Sequence, residues 1–360
     1  MIANPSLKWE TQISTDIALE FGLFDRLTGT IEYFKKDSKD LLFDVSQPAS
    51  VGVTSIIQNI GKVTNSGVEI ELDYNAFKNK DWSVSVGANA TFVKNKIKNL
   101  PATMKENGYI SGSKKWLEGK SIYEFWLRQW HGVDPQTGDG LYVADVSKYN
   151  QGNIGTGDGN ITQSQFDEYK KTVVTIDGKE LTNSYTYAKY DFSGSSIPDV
   201  YGGFNVRVSY KNFDLAAVFS YQLGGQILDT NYATMMSMTE FGYAQSPDLL
   251  KAWKQAGDIT EVPRIDNSAA HTTNIGQSYS TRWLTSSDYL NLRSVTIGYQ
   301  LPKTWLSKVM LKSARLNLTA ENLFMLKARQ GLNPMANYSG VTYNEYMPSR
   351  NITLGLNVSF

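Results

Sequence analysis

The sequence predicts an all-β fold, an antiparallel up-and-down transmembrane barrel of about eleven strands with long loops at one end. Three observations predict it. The last twelve residues, Ser349 to Phe360, alternate without a break: Ile352, Leu354, Leu356, Val358 and Phe360 point one way, and Asn351, Thr353, Gly355, Asn357 and Ser359 the other. Period two over ten residues is a strand with a different solvent on each face. Short and long connections alternate along the chain, the plan of a barrel with tight turns at one end and loops at the other. The polar faces carry Glu69, Glu71, Asp73, Arg207, Arg315 and Glu321, which a dry core would reject and a hydrated lumen would hold. A soluble sandwich shares the alternation but favours shorter loops at both ends and Greek-key connections.

Taken in order, residues 9–22 form the first strand, with Ile13, Thr15, Ile17, Leu19 and Phe21 on one face. After a turn at Leu23 to Arg26, a second strand places Leu27, Ile31 and Tyr33 opposite Thr28, Thr30 and Glu32. A polar loop from about Lys36 to Lys62 precedes the third, where Val68, Ile70, Leu72 and Tyr74 face away from Glu69, Glu71 and Asp73. The turn Lys78 to Asp81 leads to a fourth, Trp82 to Phe92. Two more are expected at Ser121 to Val133 and Leu141 to Val146, joined by the turn signal Asp134-Pro135-Gln136-Thr137-Gly138-Asp139-Gly140. A hairpin follows at Tyr201 to Tyr210 and Phe213 to Tyr221 around Lys211-Asn212, then strands at Tyr289 to Gln300, Ala314 to Phe324 and the terminus. The short connections fall near residues 24, 79, 136, 211 and 306. Loops as long as the others are uncommon in compact domains unless they carry function.

Composition agrees. With 35 Lys+Arg against 35 Asp+Glu, nothing points to a nucleic-acid partner. The 29 Gly and 21 Tyr suit strands and polar loops better than helices. Cys is absent, which excludes disulfides and thiolate metal sites. No apolar run approaches the roughly 20 residues of a membrane helix, but barrel strands need only about 9–11. Met1 to Pro5 has neither the basic region nor the apolar stretch of a signal peptide.

Several stretches carry a family resemblance: Asn4-Pro5-Ser6-Leu7-Lys8-Trp9-Glu10, Gln58-Asn59-Ile60-Gly61-Lys62-Val63 with Asn65-Ser66-Gly67-Val68-Glu69, and Gly132-Val133-Asp134-Pro135-Gln136-Thr137-Gly138. Pro198-Asp199-Val200-Tyr201-Gly202-Gly203, Tyr210 to Leu215, Phe219 to Gly225, Tyr289 to Arg293, Thr296 to Pro302 and Glu321-Asn322-Leu323-Phe324 continue it. The chain resembles the carboxy-terminal half of SusC/RagA-type TonB-dependent outer-membrane transporters of Bacteroidetes. The resemblance implies that residues 1–360 are the second half of a 22-strand barrel with extracellular loops, lying in the cell outer membrane. The family's plug domain, TonB-contact segment and signal peptide have no counterpart in these residues. The implied function is import of oligosaccharides, or peptides, into the periplasm with TonB-derived energy. The implied partners are a SusD-like surface lipoprotein, TonB acting through the plug, the barrel-insertion machinery and outer-membrane lipid. An odd strand set would leave edges that hydrocarbon cannot satisfy, so this half alone should not make a pore.

Chemistry beyond that is sparse. His131 and His271 lie far apart with no metal-binding spacing, so no catalytic or metal site is expected. Gly155 to Thr162 resembles a calcium loop, but an EF-hand register with Gly159 sixth puts Ile154 first and Gln165 last, where carboxylates are required. A polar turn is preferred to calcium near Asp158, and no cofactor is expected. Trp116, Trp126, Trp130, Trp253 and Trp283 in the loops are candidate sugar-stacking platforms, against packing or an interfacial aromatic girdle. Leu354, Leu356, Val358 and Phe360 resemble the terminal signal read during barrel assembly. The alternative functions are a non-transporting β-protein that binds glycans through its aromatic loops and, behind it, an outer-membrane enzyme.

Overall fold

The computed structural model describes residues 4–46, 50, 52–59, 61–101, 104–157, 159–238, 242, 244–276, 278–306 and 311–360. Nine long strands form one antiparallel sheet in chain order: β1 (Thr11–Leu23), β2 (Leu27–Lys39), β3 (Lys62–Lys78), β4 (Trp82–Asn99), β5 (Val200–Tyr210), β6 (Phe213–Leu223), β7 (Tyr289–Gln300), β8 (Ser313–Glu321) and β9 (Asn351–Ser359). A tenth, short strand, Met325–Lys327, pairs with the start of β7 beyond the end of β8. The sheet is open, with β1 and β9 at its edges.

The tight turns lie at one end, and local chemistry makes them. Phe24 and Asp25 both take positive φ, and Arg26 N donates to Leu23 O, a turn whose twist matches a hairpin. Asn79 Oδ1 accepts from the backbone of Asp81 and Trp82, an Asx turn that starts β4. Lys211-Asn212 closes β5 on β6 in two residues, with Lys211 at φ 50°. The β7–β8 connection also lies at this end and holds a short helix at Lys303–Leu306.

The alternation predicted from sequence holds through the sheet. Ile31 pairs with Ile70, Tyr74 with Val86, Val206 with Ala217 and Leu318 with Leu354, all on one face. That face is apolar yet open: Ile17 is 66% exposed and Leu354 73%. A band of this kind on a wall one strand thick is suited to hydrocarbon. Three bulges interrupt the register, one of them at Lys98 near the loop end of β4. Ala76 has no partner between the Asn75–Ser85 and Phe77–Val84 pairs, nor Arg293 between Leu292–Phe219 and Ser294–Val218. Each returns the following residues to the correct face.

The strand count is corrected. Ser121 to Val133 and Leu141 to Val146 were expected in the wall, but β4 pairs directly with β5, leaving no edge for them to join. Their pieces, Glu124–Arg128, Trp130–Val133 and Gly140–Val143, belong to two four-stranded sheets within the connection between β4 and β5. Phe125 and Leu127 are fully buried there. The turn near 136 therefore closes a loop hairpin (Trp130–Val133 with Gly140–Val143), not a wall hairpin. Nine is still odd, so β1 and β9 run in the same direction.

Across the wall, adjacent positions separate the two environments. Val206→Arg, at mid-strand on the apolar face, should cost about 2–4 kcal/mol in the refolded protein, read by urea titration in lipid. Thr91→Arg, opposite Glu69 on the polar face, should leave the midpoint nearly unchanged.

Candidate functional site

The polar face gathers all six predicted charges. The row Asp73–Gly87–Asn205–Val218–Ser294–Glu321 crosses six strands by direct pairing. Glu69, Glu71, Arg207 and Arg315 fall on the same face by period two. Arg315 is matched: Nη2 donates to Asp214 Oδ2 at 2.6 Å and Nε to Asn317 Oδ1 at 2.7 Å. Gly298 lies beneath this pair, where a Cβ would collide with both partners. Asn351 Nδ2 donates to Glu321 Oε2. Glu69, Glu71, Asp73 and Arg207 are open to solvent. On the other face, Leu354, Leu356, Val358 and Phe360 are exposed along the edge strand.

Above the wall the long connections pack on one another. Phe125, Leu127, Leu228, Met236, Val262, Trp283 and Val341 form one apolar cluster drawn from three of them. A buried polar hub fastens it. Asp229 caps the helix Thr230–Met235 by accepting from Tyr232 N at 2.9 Å, accepts from Thr342 Oγ1 and is ion-paired with Arg329. The Asp229 side chain is only 4% exposed, and the Arg329 guanidinium lies 3.5 Å from the Tyr232 ring centroid. Burial pulls Arg329 down to about 10, so it stays charged at neutral pH.

Most of the candidate tryptophans are committed to this packing. The Trp116 indole donates to Ile122 O and its ring lies against Tyr109. The Trp253 indole donates to Pro135 O, and its ring covers Gly138, whose φ of +73° and missing Cβ make room. Trp126 stacks on Tyr190 with Lys115 Nζ 4.1 Å from its centroid. Trp283 is buried, edge-on to Tyr232. The structure brings Trp130 and Trp283 to a common cavity, of about 350 Å³, which Tyr232, Thr281, Arg282 and the exposed His131 also line. His271 is buried far from it in sequence, its Nε2 at 2.8 Å from Arg264 O.

Arg282, which the sequence did not single out, lies between two of the candidate tryptophans. Its guanidinium lies 4.7 Å from the Trp130 centroid and 4.3 Å from that of Trp283. Desolvation lowers it to about 10, still charged at neutral pH. Its adjacency to Trp283 was visible, but the approach of Trp130 across 152 residues was not.

Asp158, where a polar turn was preferred to a calcium site, lies outside the described residues. Around it, Thr162 and Gln165 are occupied as a capping box for the helix Gln163–Thr172: Gln165 N donates to Thr162 Oγ1 and Thr162 N to Gln165 Oε1. Among the described residues no three His, Asp or Glu side chains stand as a metal-binding group.

Lys114 is a further buried cation. Nζ donates to Tyr123 O at 2.9 Å and lies 3.0 Å from the Phe125 centroid. Burial pulls it down to about 7, partly opposed by Glu124.

Two results are expected. Arg329→Met strands the Asp229 carboxylate and should destabilise the loop layer by about 3–5 kcal/mol, seen in its near-UV circular dichroism melt. For Lys114 the folded pKa lies below the unfolded one, so the unfolded state holds more protons between about pH 7 and 10.5. Loop-layer stability should therefore rise with pH across that window, by up to about 1.4 kcal/mol per pH unit. The same melt on Lys114→Met should lose that slope.

The comparisons with known proteins agree with this architecture. The family described as TonB dependent receptor-like, beta-barrel matches residues 1–172. TonB-dependent receptor P3 of Formosa agariphila is 29% identical over 377 residues, covering 99% of this chain and 35% of the relative. The TonB-dependent receptor SusC of Bacteroides thetaiotaomicron is 24% identical, covering 99% of the chain and 32% of its own length. The RagAB peptide transporter superposes with a TM-score of 0.78 at 25% identity, covering 100% of the chain and 36% of its counterpart. The chain thus spans about a third of the length of the relatives it matches.

Proposed function

We propose that this chain, the carboxy-terminal barrel portion of a SusC/RagA-type TonB-dependent receptor in the outer membrane, forms part of the wall and outer vestibule of an active importer. Its cargo is an oligosaccharide or a peptide, delivered to the periplasm with TonB-derived energy. The observation that carries the reading is the two-faced wall: one sheet, apolar on one side and charged on the other, with all its folded loops at one end.

Each part then has a task. The apolar face of β1 to β9 meets lipid. The face bearing Glu69, Glu71, Asp73, Arg207, Arg315 and Glu321 lines a hydrated lumen, against which a plug transmits the pull of TonB. The loop layer presents a surface for a SusD-like lipoprotein, a partner supported by the likeness to the RagAB assembly. Leu354, Leu356, Val358 and Phe360 serve as the assembly signal, on an edge strand whose backbone is open to pairing. No residue is assigned to bond-making. Trp116, Trp126, Trp130 and Trp253 are all half-buried, but Trp116 and Trp253 donate their indole N–H groups to backbone carbonyls. Trp126 and Trp130 are therefore the better cargo contacts, with the buried Trp283 reached only through the cavity it shares with Trp130.

The test is uptake by source cells carrying or lacking the protein, with labelled glycan and peptide panels, with and without a protonophore. Loss of at least one cargo in the deletion strain, and its collapse on uncoupling, is expected. Equal uptake by both strains across both panels would sink the transport reading.

A further inference from the structure

Two arginines of the loop layer are matched by carboxylates: Arg329 by Asp229, and Arg264 by Asp139 and Asp266. Arg282 has no such partner among the described residues. Nη1 donates to Ile275 O at 3.1 Å. The titratable groups that face it are the phenols of Tyr142 and Tyr232, which burial holds neutral, pushed up to about 12. Both hydroxyls donate elsewhere, Tyr142 to Asn274 O and Tyr232 to Asp248. Glu261 lines the same cavity but is exposed and makes no ion pair with Arg282.

A desolvated cation without a counter-ion is costly, and a protein that keeps one at a cavity wall has a use for an incoming anion. The guanidinium fork matches a carboxylate through two parallel hydrogen bonds, a geometry an ammonium cannot reproduce. The Trp130 and Trp283 rings beside it offer flat apolar surface for the carbon skeleton attached to that carboxylate.

We propose that the cavity between Trp130, Arg282 and Trp283 binds a carboxylate on the cargo, with Arg282 as its counter-ion. The carboxylate is the terminal group of an oligopeptide or the acid of a uronate-containing oligosaccharide. This rests on the importer reading and adds to it the charge of what is imported.

The test uses the detergent-solubilised transporter containing this chain, titrated calorimetrically with trialanine, trialanine amide, trigalacturonate and its methyl ester. One acid is expected to bind at least tenfold tighter than its neutral twin, and which acid does so identifies the source. Arg282→Gln should reduce the acid to the level of the neutral twin and leave the twin unchanged, with near-UV circular dichroism confirming the fold. Glu261→Gln should leave binding equal or tighter. The comparison of acid with neutral twin on the unaltered protein stands even if Arg282→Gln fails to fold. Equal binding of acid and twin, absence of binding by either acid, or a uniform loss in Arg282→Gln would overturn the anion site. None of these bears on the importer reading, which uptake in cells decides separately.

Discussion

The controlling constraint is lateral hydrogen bonding in a wall one strand thick. In hydrocarbon every backbone N–H and C=O must find a partner within the sheet, because lipid supplies none. β2 to β8 meet this on both sides through antiparallel ladders broken only at the bulges. From that follows the two-faced chemistry: with no second layer behind it, each strand must meet lipid with alternate residues and water with the others. It also follows that β1 and β9 are incomplete, since each offers one unpaired row of backbone groups.

The loop layer obeys a different rule. It has an interior, with Phe125, Leu127 and Trp283 buried as in an ordinary soluble domain. Charges there are fixed by contacts between connections far apart in sequence, Asp229 with Arg329 and Thr342 for example. The chain thus combines a membrane wall held by local pairing with an aqueous cap held by long-range packing.

This division explains what could be read in advance. Wall strands announce themselves because lipid and water impose period two on each strand separately, so Val68 to Tyr74 needs no knowledge of its neighbours. All six charges assigned to the polar side share one face for the same reason. The segments Ser121 to Val133 and Leu141 to Val146 misled because their aromatics mimic a wall strand, whereas their partners, Tyr190–Ser195 and Lys179–Thr182, are set by how the loop folds back. The cavity at Arg282 was illegible because its walls come from two connections about a hundred residues apart, 130–132 and 232–283.

The bulges at Ala76 and Arg293 carry a consequence for how such a protein changes over generations. A single residue added within a wall strand inverts every side chain beyond it, presenting charge to lipid and hydrocarbon to water. It survives only if the extra residue is expelled locally, as these two are. The wall therefore admits length variation in pairs or as bulges, while the connections above it accept any length that still packs. Novelty in what the protein recognises accumulates in the cap, over a wall whose length can scarcely drift.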